Sequence, residues 1–190
     1  VDVFDAKADA MALLAALGVP VGGLHIVPAA GPQYHPGRSG TLQFGPKNRI
    51  GTFGEFHPRV LEAMDASGPI CGFEIILDAL PAPKAKATKV KPKLDLSELM
   101  PLERDFAFLV DKNVKASDLL RAAQGANKTL VADINLFDVY EGTGIPEGKK
   151  SVAIAVTLQP REKTLTDTEI EAVATKVVAE VANKTGATLR

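Results

Sequence analysis

Phe137-Asp138-Val139-Tyr140-Glu141-Gly142 and, shortly after, Lys149-Lys150-Ser151 hold the side chains of this chain best suited to recognition chemistry. An alternating run closes at a turn there, and a second alternating run opens. In a strand, side chains two apart share one face of the sheet. With Phe137, Val139, Val152, Ile154, Val156 and Leu158 as the buried set, Asp138, Tyr140 and Ser151 fall on the opposite, uncovered face, beside Ala153, Ala155 and Thr157. A phenol ring there offers a platform on which a nucleobase can stack, worth about 1–3 kcal/mol per base. A carboxylate accepts from base amino and imino hydrogens, and a hydroxyl both donates and accepts. Such a set reads the edges of splayed, single-stranded bases, the usual mode of sequence-specific RNA recognition. The same residues admit a plain structural reading, with Tyr140 covering a sheet edge and Asp138 capping the turn.

The elements that would position them follow a clear order. Arg104 to Val110 is apolar and aromatic, as a strand would be, and Ala116 to Ala123 is a short helix. Leu130 to Tyr140 and Ser151 to Leu158 are alternating strands. Thr166 and Glu169 then make a capping box ahead of the apolar stripe Ile170, Val173, Ala174, Val177, Val178 and Val181. Lys184 and Gly186 suit the end of that helix, and Ala187 to Arg190 can form a last strand. The order β-α-β-β-α-β predicts a ferredoxin-like sandwich, a four-stranded antiparallel sheet with both helices on one face.

Upstream the pattern is also mixed α+β. Asp5 to Leu17 places Ala6, Ala10, Leu13, Leu14 and Leu17 on one helical face, with Gly18 to end it. Thr41 to Phe44 and Arg49 to Phe56 read as strands about the turn Gly45-Pro46-Lys47-Asn48. Pro58 opens a short helix through Met64, and Ile70 to Leu77 is a further strand. Between the halves, Pro81 to Lys93 carries three prolines, five lysines and no acid. Extended, self-repelling chain of that kind marks a domain boundary, with weak tracking of a phosphate backbone as its other use. Three spans result: residues 1–80, a Lys/Pro-rich linker over 81–96, and 97–190.

Composition narrows the function classes. A chain of 190 residues with 46% hydrophobic and 24% charged residues has the make-up of a globular protein. No stretch approaches the roughly 18 apolar residues of a membrane helix. The start, Val1-Asp2-Val3-Phe4-Asp5, has no basic or apolar leader and no initiator Met, so the chain is expected to be the C-terminal piece of something longer. Cys71 stands alone and reads as a small buried hydrophobe in a reducing cytoplasm. A net charge of -1 excludes a generally electrostatic polyanion binder, so any nucleic-acid contact must be local.

No catalytic residue and no metal site is expected. His25, His35, His57 and Cys71 lack the close spacing of zinc ligands, and His57 before Pro58 suits a helix entry. Tyr34-His35-Pro36-Gly37-Arg38-Ser39-Gly40 reads either as an anion-binding turn or as a loop stitched by Arg38. Glu55 and Glu74 are isolated acids without a nucleophile.

Several motifs, in order along nearly the whole chain, carry a family likeness. Tyr34 to Ser39, Ile50-Gly51-Thr52-Phe53-Gly54-Glu55-Phe56-His57-Pro58 and Arg104-Asp105-Phe106-Ala107-Phe108-Leu109-Val110 are three of them. Phe137 to Gly142, Gly148 to Ser151, Arg161 to Asp167 and the terminal Leu189-Arg190 continue the series. Together they resemble the C-terminal third of bacterial phenylalanyl-tRNA synthetase β subunits. The resemblance implies a ferredoxin-fold anticodon-binding domain over 97–190, preceded by part of a class II synthetase-like module without catalytic residues. It implies contacts to the anticodon stem-loop of tRNA(Phe) from Asp138, Tyr140 and Ser151; the charges of Lys149 and Lys150 beside that set, apart from the resemblance, are expected to reach nearby phosphates. It further implies an α subunit as partner in an α2β2 enzyme, with ATP and Mg²⁺ as cofactors of the parent and none in this piece. Ser97 to Arg190 holds 12 Lys+Arg against 14 Asp+Glu, so affinity in isolation should be weak. A ferredoxin-like small-molecule regulatory module is the alternative. It would need a Gly-rich loop after the first strand, where Asp111 to Lys115 supplies none.

Overall fold

A computed structural model describes residues 1–81 and 96–190. The chain divides into two compact units, Val1–Val90 and Lys91–Arg190. The linker expected over 81–96 lies, but for its two end residues, outside the described residues.

In the first unit, α1 (Val3–Ala16) is followed by β1 (His25–Pro28), β2 (Tyr34–Phe44), β3 (Asn48–Phe56), α2 (Pro58–Ala63) and β4 (Cys71–Ile75). The strands form one antiparallel sheet in sequential order. Asp2 and Asp5 build a capping box at the start of α1, where orphan N–H groups need acceptors. Ala10 and Leu14 then pack with Leu42, Ile50 and Phe53 in the core.

The expected strand at Thr41 is longer than its pattern suggests, because β2 begins at Tyr34. Proline and two glycines hide that strand, yet it fits β3 closely. A Cβ on Gly54 would lie 2.6 Å from the Cβ of Ser39, so only glycine permits the approach. Tyr34 stacks on Phe56 with ring centroids 5.2 Å apart. Arg38 forks onto Glu55 through Nε–Oε2 at 2.6 Å and a second N–H to Oε1 at 2.7 Å. The segment is therefore a strand stitched by Arg38 rather than an anion-binding turn. His57 caps α2, its Nδ1 accepting from the Arg59 N–H at 3.2 Å. Cys71 is half-buried, and burial, aided by Glu55, pushes its thiol pKa up.

In the second unit the order is β5 (Leu102–Asp111), α3 (Ala116–Ala126), β6 (Val131–Tyr140), β7 (Lys149–Leu158), α4 (Asp167–Thr185) and β8 (Thr188–Leu189). The antiparallel sheet runs β6-β7-β5-β8, the ferredoxin-like arrangement. Leu119, Ala122 and Ala123 of α3 and Val173, Val177 and Val181 of α4 cover one face. They pack on Phe106, Phe108, Val110, Val152, Ile154, Val156 and Leu158. The opposite face carries no helix among the described residues.

The ends of α4 are well made. Gly186 follows it at φ 69°, the left-handed cap that glycine adopts without penalty. At its start Glu169 accepts from the Thr166 N–H at 2.9 Å and pairs with Lys163 at 2.8 Å. Lys163, then the Thr166 backbone and hydroxyl, hold the Glu169 carboxyl down at about 2, against an ordinary 4.5. A carboxyl that is more acidic folded than unfolded stabilises the fold above its unfolded value. That contribution is complete above about pH 4.5 and is lost as pH falls toward 2. An NMR titration should therefore find Glu169 titrating near 2, with the first turn of α4 fraying over the same window. Lys163→Ala should bring the midpoint back up, and an unmoved midpoint would remove Lys163 as the main cause.

Candidate nucleic-acid interface

Residues opposite one another in neighbouring strands share a face, with Cβ atoms about 4.5–5.5 Å apart. The ladders therefore map the uncovered face in rows across β6, β7 and β5. Asp133, Thr157 and Glu103 form one row, and Asn135, Ala155 and Asp105 the next. Asp138, Ala153 and Ala107 follow, then Tyr140, Ser151 and Leu109, with Lys149 and Asp111 at the end.

Asp138 and Tyr140 reach this face by a route that simple alternation misses. Ile134 and Leu136 pair with Val156 and Ile154 and pack on the core. Their parity is that of Asp138 and Tyr140, so an uninterrupted strand would bury the phenol and the carboxylate. The register slips between Leu136 and Asp138, leaving Phe137 as the extra residue of a β-bulge. After it, Val139 pairs with Val152 on the helix side but stays 47% exposed rather than buried as expected, while Asp138 pairs with Ala153 and Tyr140 with Ser151. Phe137 was expected on the helix side. As the bulged residue it is instead 54% exposed.

Tyr140 is 41% exposed, and its hydroxyl donates to the Thr143 carbonyl at 3.3 Å. The ring lies over Gly142, where a Cβ would come within 2.7 Å of the phenol oxygen. Glycine at 142 thus lets the turn pass close beneath the ring. Asp138 is exposed.

Ser151, expected to face solvent, is only 5% exposed. It does lie on the uncovered face. β7 is a central strand, however, and the small side chain sits between Tyr140 and Leu109 in its row. Its hydroxyl forms the floor between two larger walls.

The two lysines part company. Lys149 lies on the uncovered face and pairs with Asp111 at 2.9 Å. Lys150 is on the other parity, opposite Val110, and donates to the Lys112 carbonyl at 3.0 Å. Lys112 in turn pairs with Glu141 at 2.9 Å, which fixes the β5–α3 loop against the turn that carries Tyr140. Sequence reasoning missed Asp133 and Asn135, the other polar residues of β6 on this face. Their spacing from Asp138 is hidden by the bulge. Among the described residues no group of three His, Cys, Asp or Glu side chains converges as a metal ion would require.

A face of this kind, with an aromatic ring, a carboxylate and a floor of small residues, suits stacked bases better than phosphates. The ferredoxin-fold anticodon binding domain model matches residues 97–190, and the phenylalanyl tRNA synthetase beta chain CLM domain model matches residues 1–77. The chain belongs to the phenylalanyl-tRNA synthetase beta-chain family. It is 63% identical over 190 residues to the phenylalanine–tRNA ligase beta subunit of Bradyrhizobium diazoefficiens, covering 100% of this chain and 24% of that protein. The beta subunit of Rhodopseudomonas palustris is 59% identical over 187 residues, covering 98% of this chain and 23% of the relative. That of Mesorhizobium japonicum is 55% identical over 190 residues, with 100% and 24% covered. The chain thus spans about a quarter of the length of these relatives. No helix among the described residues is long and apolar enough to cross a membrane.

Proposed function

We propose that this chain is the anticodon-reading end of a phenylalanine–tRNA ligase beta subunit. The observation that carries it is the pairing of Asp138 with Ala153 and of Tyr140 with Ser151 on the helix-free face of a domain matched by an anticodon-binding model. An unstacked base lies against the Tyr140 ring. Its edge donates amino or imino hydrogens to Asp138, and Ser151 bonds only an edge pushed down between Tyr140 and Leu109. Lys149 contributes a phosphate contact from the rim once it exchanges Asp111 for the nucleic acid, and Lys150 serves from the other side of the sheet. Charging of tRNA(Phe) with phenylalanine, with ATP and Mg²⁺, belongs to the parent enzyme and its α subunit in the cytoplasm.

The charge of the face makes the reading specific. Glu103, Asp105, Asp111, Asp133 and Asp138 stand there against Lys149 and Arg190. Phosphate attraction is therefore weak, and base contacts must supply the selectivity. Footprinting of tRNA(Phe) with the 190-residue chain should protect the anticodon loop and leave the acceptor stem reactive. The salt slope should correspond to only about one or two phosphate contacts. Even protection along the whole backbone, or a steep salt slope, would replace base reading with plain electrostatic adhesion.

A further inference from the structure

β5 has two edges, and the described residues use only one of them fully. β7 pairs with every β5 residue from Leu102 to Asp111, whereas β8 pairs only with Phe108 and Leu109. One further bond follows, from the Arg190 N–H to the Ala107 carbonyl at 2.8 Å. In an antiparallel ladder each residue turns its N–H and C=O to the same neighbour, and the direction alternates along the strand. Ala107 turns toward β8, so Asp105 and Glu103 present their backbone groups to that same edge, where no described residue pairs with them. Beside this edge runs a groove of about 760 Å³, lined by Glu103–Ala107, by Glu171, Ala174 and Val178 of α4, and by Leu189 and Arg190, with Arg104 and Glu171 ion-paired in its wall. Ala174 and Val178 are only partly buried against the core, which leaves an apolar flank beside unused backbone groups.

We propose that this groove binds an extended peptide of alternating apolar and basic residues, which adds to β5 as an antiparallel strand continuing the β8 ladder. Strand addition of this kind takes its affinity from main-chain hydrogen bonds and its selectivity from alternate side chains. The open stretch from Leu102 to Ala107 accommodates about five residues at roughly 3.4 Å each. Peptide residues opposite Asp105 and Glu103 lie beside two carboxylates and must be basic. Residues flanking them point toward Phe106, Ala174 and Val178 and must be apolar, and the one between them lies over the stem of Arg104, whose charge is taken up by Glu171. Charges on a sheet edge ordinarily deter pairing with other strands. Here the two acids refuse neutral and acidic strands and admit a basic one. The groove is separated from Tyr140 by the width of the sheet, since the order is β6-β7-β5-β8. Peptide binding and base reading can therefore succeed or fail independently.

The test is an NMR titration of the ¹⁵N-labelled full chain with acetyl-Val-Lys-Val-Lys-Val-amide. The Glu103 and Asp105 amides should shift and exchange at least about tenfold more slowly at saturation. The Val-Glu-Val-Glu-Val counterpart should bind at least about tenfold more weakly, because like charges then face each other. Methylating the backbone nitrogens of the two lysines should abolish binding, because those N–H groups face Asp105 and Glu103. Asp105→Lys, on an exposed residue, should keep the fold and shift preference toward the acidic peptide. Unchanged Glu103 and Asp105 amides overturn the proposal, as does equal binding of the N-methylated peptide, which would leave adhesion by charge only.

Discussion

Tyr140→Ala is expected to lower kcat/KM for tRNA charging by the assembled ligase about 5- to 150-fold, the ratio equivalent to 1–3 kcal/mol of base stacking. The ring is 41% exposed on the helix-free face, so its removal opens no cavity in the core. Its hydrogen bond to the Thr143 carbonyl at 3.3 Å holds the turn. A purely structural Tyr140 would act through that bond, and then Tyr140→Phe and Tyr140→Ala would fall together. A stacking Tyr140 predicts otherwise. Tyr140→Phe keeps the ring and nearly all of the activity, whereas Tyr140→Ala loses activity in the tRNA-dependent term with a thermal midpoint close to the parent's. Unchanged charging kinetics in a folded Tyr140→Ala enzyme would remove stacking from the account.

How far the sequence foretells this face depends on which physical signal each element carries. The second unit is legible because its strands alternate and α4 announces itself through Thr166, Glu169 and Gly186, all of which act as read. The four-stranded order follows from the sequence of elements alone. Asp138 and Tyr140 are correctly assigned to the uncovered face, but for an incomplete reason. Phe137 and Val139 are not two members of one buried stripe. The bulge at Phe137 separates Val139 from Leu136, and no residue type in Leu136-Phe137-Asp138 marks it. Burial of Ser151 is equally invisible, because it depends on Tyr140 and Leu109 in two other strands. The fates of Lys149 and Lys150 are set by Asp111 and by the Lys112 carbonyl, 38 residues away. In the first unit, β1 and the first half of β2 escape notice. Their fit rests on Gly54 beneath Ser39 and on Arg38 with Glu55, contacts between strands rather than a pattern along one.

Phe108→Ala should destabilise the second unit by about 3–5 kcal/mol, the usual effect of deleting a buried phenyl ring. Phe108 is fully buried, opposite Val152 in β7 and Leu189 in β8, with the Phe106 ring stacked at 6.1 Å. Close packing leaves little room for collapse around the void, because β5 is held along its whole length by β7. A domain of this size has about 5–15 kcal/mol of stability in all, so the variant should be marginal at physiological temperature. Urea unfolding followed by the amides of β5 and β7 should show the midpoint falling while the slope stays constant, since the surface exposed on unfolding is unchanged. Tyr140 and Phe108 lie in adjacent rows on opposite faces of one sheet. A side chain that reads bases should affect charging at constant stability, and one that builds the platform should do the reverse until the platform melts. A loss below about 1 kcal/mol for Phe108→Ala would mean that the core refills the space, contrary to the rigidity this division of labour requires.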